Sequence, residues 1–453
     1  MSTGADAADE GNSLLLTDLY EVAMVHAYLD HGLTDTASFE LFVRTLPPER
    51  NFLVAAGLEQ AVVFLEQARF TPDDLAWLRD NARLSEGTLE YLRGFRFSGD
   101  VDALPEGTVF FAHEPILRVT ASLPEAQLME TRLINLLHFQ TVVASKAARL
   151  VLAARGRPLF DFGLRRAHGA EAGLLAARAA YLAGFAGTAT ALAGRRFGIP
   201  VVGTMAHAFV QAHDREALAF ANFARSRPQN LTLLLDTYDT EAAARAAVTL
   251  ARELAAEGIR LSGVRLDSGD LAALSRRVRS ILDEGGLAET RIVASGGLDE
   301  EAIASLLAAD APIDSFGVGT SLTTSSDAPA LDCAYKLVEY AGLPRRKRSP
   351  GKATWPGRKQ VFRHCGADGR ICADRLSTAD AGEPGRPLLV PVMRAGRRVA
   401  PLPDLPAIRA HAAAELASLP EPVRNLQRRT TLEVGIAPAL YTLAAQADRI
   451  GCG

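Results

Sequence analysis

The stretches Ala294-Ser295-Gly296-Gly297-Leu298-Asp299 and Phe316-Gly317-Val318-Gly319-Thr320-Ser321 decide how this chain is read. Each ends an apolar run on small and polar residues. Glycine-rich strand ends let backbone N–H groups approach an oxyanion closely. Two in succession, late in an alternating pattern, match the place where (β/α) barrels often hold a phosphate. A phosphorylated sugar is the substrate class they suggest.

The same rhythm extends backwards to about residue 157. Strands are expected at Pro158–Phe162, Leu182–Thr188, Ile199–Thr204, Leu231–Asp236, Gly263–Asp267, Arg291–Ser295 and Ile313–Val318. Helical periodicity falls between them, as in Glu241–Ala256 and Leu271–Asp283. Such alternation implies right-handed crossovers and a parallel sheet. No early Gly-x-Gly-x-x-Gly follows the first strand, which disfavours a dinucleotide-binding sheet and favours a barrel. The expected fold is α/β: an irregular (β/α) barrel of about seven parallel strands plus an α+β domain built from the N-terminal and C-terminal segments. The expected divisions are a disordered tail (1–12), an N-terminal α+β domain (13–130), the barrel (131–342) and a C-terminal segment (343–453). That last segment, a basic loop and then helices, is expected to pack back on the N-terminal domain.

Composition narrows the class. The chain has 453 residues, 48% hydrophobic and 23% charged, with a net charge of −4. That fits a globular protein and gives no reason to expect a nucleic-acid surface. Cys333, Cys365, Cys372 and Cys452 form no Cys-x-x-Cys pair, so a reducing cytoplasm fits. The polar, acidic start lacks the pattern of a signal peptide, and no apolar run is long enough for a membrane span. Four of the five lysines (Lys336, Lys347, Lys352 and Lys359) cluster late in the chain, and Lys146 stands alone. The cluster reads as an anion-binding region or an exposed basic loop.

In a parallel barrel the strand ends share one face. They bring Phe162, Arg165, Arg166, Thr188, His207, Asp236, Asp267, Asp270 and the two glycine loops together. His207 follows an apolar strand with small neighbours, and a carboxylate on one ring nitrogen would leave the other nucleophilic. Asp236 is the expected partner. Asp267 suits ribose hydroxyls, or Mg²⁺ held through water. In the alternative reading Ser268 caps the next helix and Asp270 lies in its first turn. Arg165 suits a bidentate contact to phosphate or carboxylate, and Phe162 is either core or a stacking surface.

Several motifs, taken in order, resemble the nicotinate phosphoribosyltransferase family. They are Thr17-Asp18-Leu19-Tyr20, Asp161-Phe162-Gly163-Leu164-Arg165-Arg166, Gly203-Thr204-Met205-Ala206-His207-Ala208-Phe209, Val264-Arg265-Leu266-Asp267-Ser268-Gly269-Asp270 and Phe316-Gly317-Val318-Gly319-Thr320. Lys336-Leu337-Val338-Glu339 and the basic residues after it continue the likeness. The resemblance runs from about residue 13 to about 375. It implies transfer of the phosphoribosyl group of 5-phosphoribosyl 1-pyrophosphate to nicotinate, with ATP as co-substrate and Mg²⁺ as cofactor. The products are nicotinate mononucleotide and pyrophosphate, the first step of NAD salvage from nicotinate.

The resemblance also implies roles. His207 would be phosphorylated and Asp236 would orient it. Tyr20, from the second subunit of a homodimer, and Phe162 would sandwich the pyridine ring. Arg165, Thr188 and Arg265 would contact nicotinate. Asp267 would contact ribose, and Asp267 with Asp270 would hold Mg²⁺. Arg44, Ser295, Gly296, Gly297, Gly319, Thr320 and Lys336 would contact ribose, phosphate or pyrophosphate. Nicotinamide-using relatives place an Asp after Gly-Thr, where this chain has Ala189, which favours the acid. A nicotinamide or quinolinate phosphoribosyltransferase, or a non-catalytic barrel that binds ligands, remain alternatives.

Overall fold

The structure is a computed structural model that describes residue 11 and residues 13–426 and 429–450. The expected tail, apart from Gly11, lies outside the described residues, as does Cys452. The chain divides into two units, one formed by residues up to 145 and from 330 onward, the other by residues 146–329.

The second unit is a mixed α/β structure around a six-stranded half-barrel sheet. Its strands run in the order Gly187–Thr188, Leu159–Asp161, Ser315–Val318, Arg291–Ala294, Leu261–Leu266 and Leu231–Leu234. Every pairing is parallel. Successive strands are neighbours, and the last in the chain, Ser315–Val318, pairs with the first, Leu159–Asp161. This is barrel connectivity interrupted at one seam.

The interruption corrects the expected strand count. Ile199–Thr204 forms no strand but touches the sheet through a single parallel bridge between Thr188 and Val201. The Thr188 N–H donates to Pro200 O at 3.0 Å and the Val202 N–H to Thr188 O at 3.0 Å. Pro200 has no N–H of its own with which to extend a ladder.

Asp residues cap three successive crossover helices. Asp239 accepts from the Ala242 N–H at 2.7 Å, Asp270 from Ala273 at 3.0 Å and Asp299 from Ala302 at 2.9 Å. Each satisfies a donor that the first helical turn leaves open, and a carboxylate there complements the helix dipole. Between these strands and helices, Leu233, Leu234, Val264, Ile292, Phe316 and Val318 are fully buried.

The first unit is built on a largely antiparallel seven-stranded sheet. Thr36–Val43 lies between Cys333–Tyr340 and Pro115–Ser122, and Asp100–Ala103 pairs onward with Val390–Arg394. Strand Cys333–Tyr340 therefore belongs to this unit and not to the barrel, which ends by residue 329. Thr71 and Asp74 form a capping box at helix Pro72–Ala82, with Pro72 in its first turn. Among the described residues no helix is long and apolar enough to cross a membrane.

Candidate active site

In the second unit the strand ends deliver their polar residues to one edge of the sheet. Strand Leu261–Leu266 ends on Asp267, and the next strand, Arg291–Ala294, ends on Ser295. The Ser295 N–H donates to Leu266 O at 2.8 Å, and its hydroxyl donates to Asp267 Oδ1. Gly296 follows at φ +93° and Gly297 at φ +65°. A side chain at position 296 would collide with the Asp267 carbonyl, so close passage of the two loops requires glycine there. Both glycines are exposed.

Asp267 also meets the histidine. Its Oδ2 lies 3.9 Å from His207 Nε2, and His207 Nδ1 lies 3.1 Å from Thr237 Oγ1. His207 is half-buried at the start of a short helix, His207–Gln211. Asp236 is not its partner. The Oδ2 atom of Asp236 instead accepts from the Asp267 N–H at 3.2 Å and from the Ser268 hydroxyl. Its Oδ1 is buried with no hydrogen-bond partner among the described residues. Ser268 therefore braces Asp236, and Asp270, not Ser268, caps the following helix. Arg265 donates to Thr204 Oγ1 at 3.0 Å, while its Nε is buried without a partner among the described residues. Burial pulls its guanidinium below the usual range, against the opposing pull of Asp267 and Asp236.

Among the described residues no three His, Cys, Asp or Glu side chains gather as a metal cage. Asp270 Oδ1 is engaged as a helix cap.

The neighbouring strand ends, after Leu159–Asp161 and Ser315–Val318, carry the aromatic and the second glycine loop. The Phe162 N–H donates to Val318 O at 2.8 Å. A Cβ at Gly317 would collide with the Phe162 ring, so this glycine makes room for it. Gly319 caps the single turn Thr320–Thr323, and Thr320 is exposed. Asp161, 1% exposed, organises two strand ends: Oδ1 accepts from the Gly163 N–H at 2.8 Å and Oδ2 from the Thr188 hydroxyl at 2.7 Å. Burial pushes its carboxyl up, against those two donors. Thr188 is thus buried, with its hydroxyl donated to Asp161. Arg165 lies exposed on the turn Leu164–Arg166, and Ala189 is also exposed.

The first unit holds the other expected residues. Tyr20 is 46% exposed on helix Leu19–Asp30, close enough to Glu130 to feel its charge. Burial and the carboxylates of Glu130, Glu21 and Asp18 hold its hydroxyl above the usual range. Lys336 Nζ lies 3.5 Å from Glu130, so that one carboxylate gathers two of the expected residues. Arg44 pairs with Asp332 at 2.6 Å. It lines a cavity of about 390 Å³ with Arg50, His113, Trp355 and Arg429. Lys359 is buried against Glu40 at 2.7 Å and is structural, whereas Lys347 and Lys352 are exposed.

Thr237, Asp161 and Glu130 did not stand out from the sequence. Asp161 and Thr237 lie inside the strand-end motifs, but a buried hydroxyl or carboxylate is indistinguishable there from a solvated one.

Comparison with known proteins identifies the family. Residues 15–138 match the nicotinate phosphoribosyltransferase N-terminal domain, 158–341 the nicotinate phosphoribosyltransferase family and 384–444 its C-terminal domain. The chain is 51% identical over 414 residues to the nicotinate phosphoribosyltransferase pncB2 of Mycobacterium tuberculosis, covering 91% of this chain and 89% of that one. It is 33% identical to the human nicotinate phosphoribosyltransferase, with 95% of each chain covered. The crystal structure of human nicotinic acid phosphoribosyltransferase superposes with a TM-score of 0.86 at 31% identity, covering 95% of this chain and 99% of that chain. Nicotinate-nucleotide pyrophosphorylase from Pyrococcus furiosus gives 0.73 at 26% identity, over 92% and 97% of the two chains. With all three family segments present in order and the strand-end residues gathered at one sheet edge, the chain belongs to the nicotinate phosphoribosyltransferase family.

Proposed function

We propose that this protein transfers the phosphoribosyl group of 5-phosphoribosyl 1-pyrophosphate to nicotinate, giving nicotinate mononucleotide and pyrophosphate. The observation that carries the reading is the connected set His207, Asp267, Ser295 and Gly296 at one edge of a parallel sheet. The similarity to enzymes named for this activity supports it.

The reaction needs little acid–base machinery. The pyridine nitrogen attacks the anomeric carbon as the bond from that carbon to the pyrophosphate oxygen breaks. The ring nitrogen carries no proton to remove. The protein's tasks are orientation and charge stabilisation. Phe162 offers a face for the ring, and Tyr20 of the partner subunit in a homodimer offers the other. Arg165 and Arg265 supply cations for the carboxylate and the ribose side, and Asp267 accepts from the ribose hydroxyls. The loops at Ser295–Gly297 and Gly319–Thr320 receive the 5-phosphate, and Arg44 and Lys336 the pyrophosphate.

Asp267 would help hold a Mg²⁺ ion that arrives with the pyrophosphate of the donor, and the ion would neutralise charge on the leaving group. ATP couples to the transfer through phosphorylation of His207. The γ-phosphoryl group passes to an imidazole nitrogen with release of ADP, and water later cleaves that bond. With Nδ1 beside Thr237, Nε2 is the nitrogen left for this step. The setting is the cytoplasm and the first step of NAD salvage from nicotinate.

Purified protein given nicotinate, nicotinamide or quinolinate in parallel, with the donor and Mg²⁺, with and without ATP, tests the reading. Nicotinate mononucleotide is the expected main product, with ATP stimulation. Preference for nicotinamide would overturn the inference from Ala189, and no product with any pyridine would sink the transferase reading.

A further inference from the structure

Lys146 is the only lysine before Lys336, and it is 1% exposed. It lies on helix Glu130–Ala154, where its ammonium pairs with Glu300 and, at 2.9 Å, with Asp327. These carboxylates have particular positions. Glu300 is the first residue of helix Glu300–Ala308, which the Ser295–Asp299 loop enters. Asp327 follows the turn Thr320–Thr323, which the Gly319 loop enters. Arg149 adds a second hold on Glu300, with Nε 3.1 Å from Oε1. Beside the glycines, the Ser321 hydroxyl donates to the Leu298 carbonyl and joins the two loops directly.

A buried ion pair is weak grounds for stability, since well-packed apolar side chains of similar volume often serve as well. A lone ammonium between two carboxylates does fix their separation. Backbone N–H groups bind phosphate well only when aimed beforehand, within about half an ångström.

We propose that Lys146 is a positioning residue for the phosphate cradle. By holding Glu300 and Asp327 on one ammonium, it sets the spacing between the Ser295–Gly297 and Gly319–Thr320 loops and thereby the affinity for the phosphoribosyl donor. The proposal rests on the reading that these loops receive the donor's 5-phosphate.

The test compares wild type with Lys146→Arg, Lys146→Met and the triple variant Lys146→Met/Glu300→Gln/Asp327→Asn, which leaves no buried carboxylate unpaired at this point. Two quantities are read: the separate KM values for donor and nicotinate, and the calorimetric affinity for ribose 5-phosphate, which needs no turnover. Lys146→Met is expected to raise the donor KM and weaken ribose 5-phosphate binding about tenfold or more. The nicotinate KM should hold within about twofold, and Lys146→Arg should recover most of the loss. If Lys146→Met does not fold, the triple variant carries the same expectation. A folded variant with donor affinity like wild type, or with both KM values raised equally, would overturn the proposal. Wild type that binds ribose 5-phosphate without converting nicotinate would sink the functional reading instead. The cradle would then be judged on the calorimetry alone.

Discussion

His207 Nδ1 rests 3.1 Å from Thr237 Oγ1, one residue beyond the carboxylate expected to orient it. Asp236 turns away to the Asp267 N–H and the Ser268 hydroxyl. The hydroxyl thus settles which imidazole nitrogen is engaged and leaves Nε2 on the side of Asp267. Thr237→Val keeps the shape and removes the bond. It should lower the ATP-stimulated rate about tenfold, more than the basal rate, as expected when a positioned imidazole is loosened. Thr237→Ser should restore it. Acid-labile phosphate on the protein after incubation with ATP should fall in parallel. A valine variant that phosphorylates normally would show that Thr237 does not position the ring.

Gly317 and Phe162 form a second testable pair. The ring occupies the space that a side chain at 317 would need. Gly317→Ala should therefore displace Phe162 rather than merely stiffen the strand. If that ring carries the pyridine, the nicotinate KM should rise several-fold, as expected for loss of an aromatic contact worth about 0.5–1.5 kcal/mol. The donor KM should stay near its starting value. An unchanged nicotinate KM in a folded variant would return Phe162 to the core.

How far the sequence could be read depends on the kind of information each residue carries. Apolar periodicity placed six of the barrel segments, because burial on both faces of a parallel strand demands it. It failed at Ile199–Thr204, where Pro200 limits pairing to one bridge. The acidic pairs Asp236/Asp239 and Asp267/Asp270 illustrate the limit within the site. In each pair the second Asp caps the next helix, while the first faces the strand-end cluster. Sequence spacing marks both as strand-end acids. Only backbone direction separates cap from site, and it also hands His207 to Thr237. The expected barrel, 131–342, takes in Lys336. Antiparallel pairing of Cys333–Tyr340 with Thr36–Val43 puts it in the other unit, and pairing between such distant segments leaves no local trace.

The Asp270 cap gives a stability prediction that also separates two roles. Asp270→Ala loses the bond from the Ala273 N–H and should cost about 1 kcal/mol. In a unit of this size that corresponds to a Tm lower by about 2–4 °C. Asp270→Asn retains the acceptor and should recover most of it. The Mg²⁺ concentration for half-maximal rate should be the same in both variants as in wild type. A shifted Mg²⁺ requirement with unchanged Tm would assign Asp270 to the metal instead.

Glu21 yields a pH prediction. It is fully buried, with Oε1 accepting from the Thr131 N–H at 2.9 Å and Oε2 from the Thr17 hydroxyl at 2.7 Å. Burial pushes its carboxyl up from an ordinary 4.5 to about 7, opposed by those donors and assisted by Glu130. A carboxyl raised on folding favours the native state while protonated. Its contribution is complete below about 4.5 and is lost as pH rises through about 7. Desolvation shifts His113 and His138 down, so their contributions are lost in the opposite direction, on acidification. Comparing wild type with Glu21→Gln cancels those terms. The unfolding free energy of Glu21→Gln relative to wild type should climb between pH 5 and pH 8 and level off above, with a total span of a few kcal/mol at most. A difference that is flat from pH 5 to pH 8 would mean that the carboxyl does not titrate there. Because Tyr20 precedes Glu21 on the same helix, any pH step in nicotinate KM that disappears in Glu21→Gln would trace to this carboxyl.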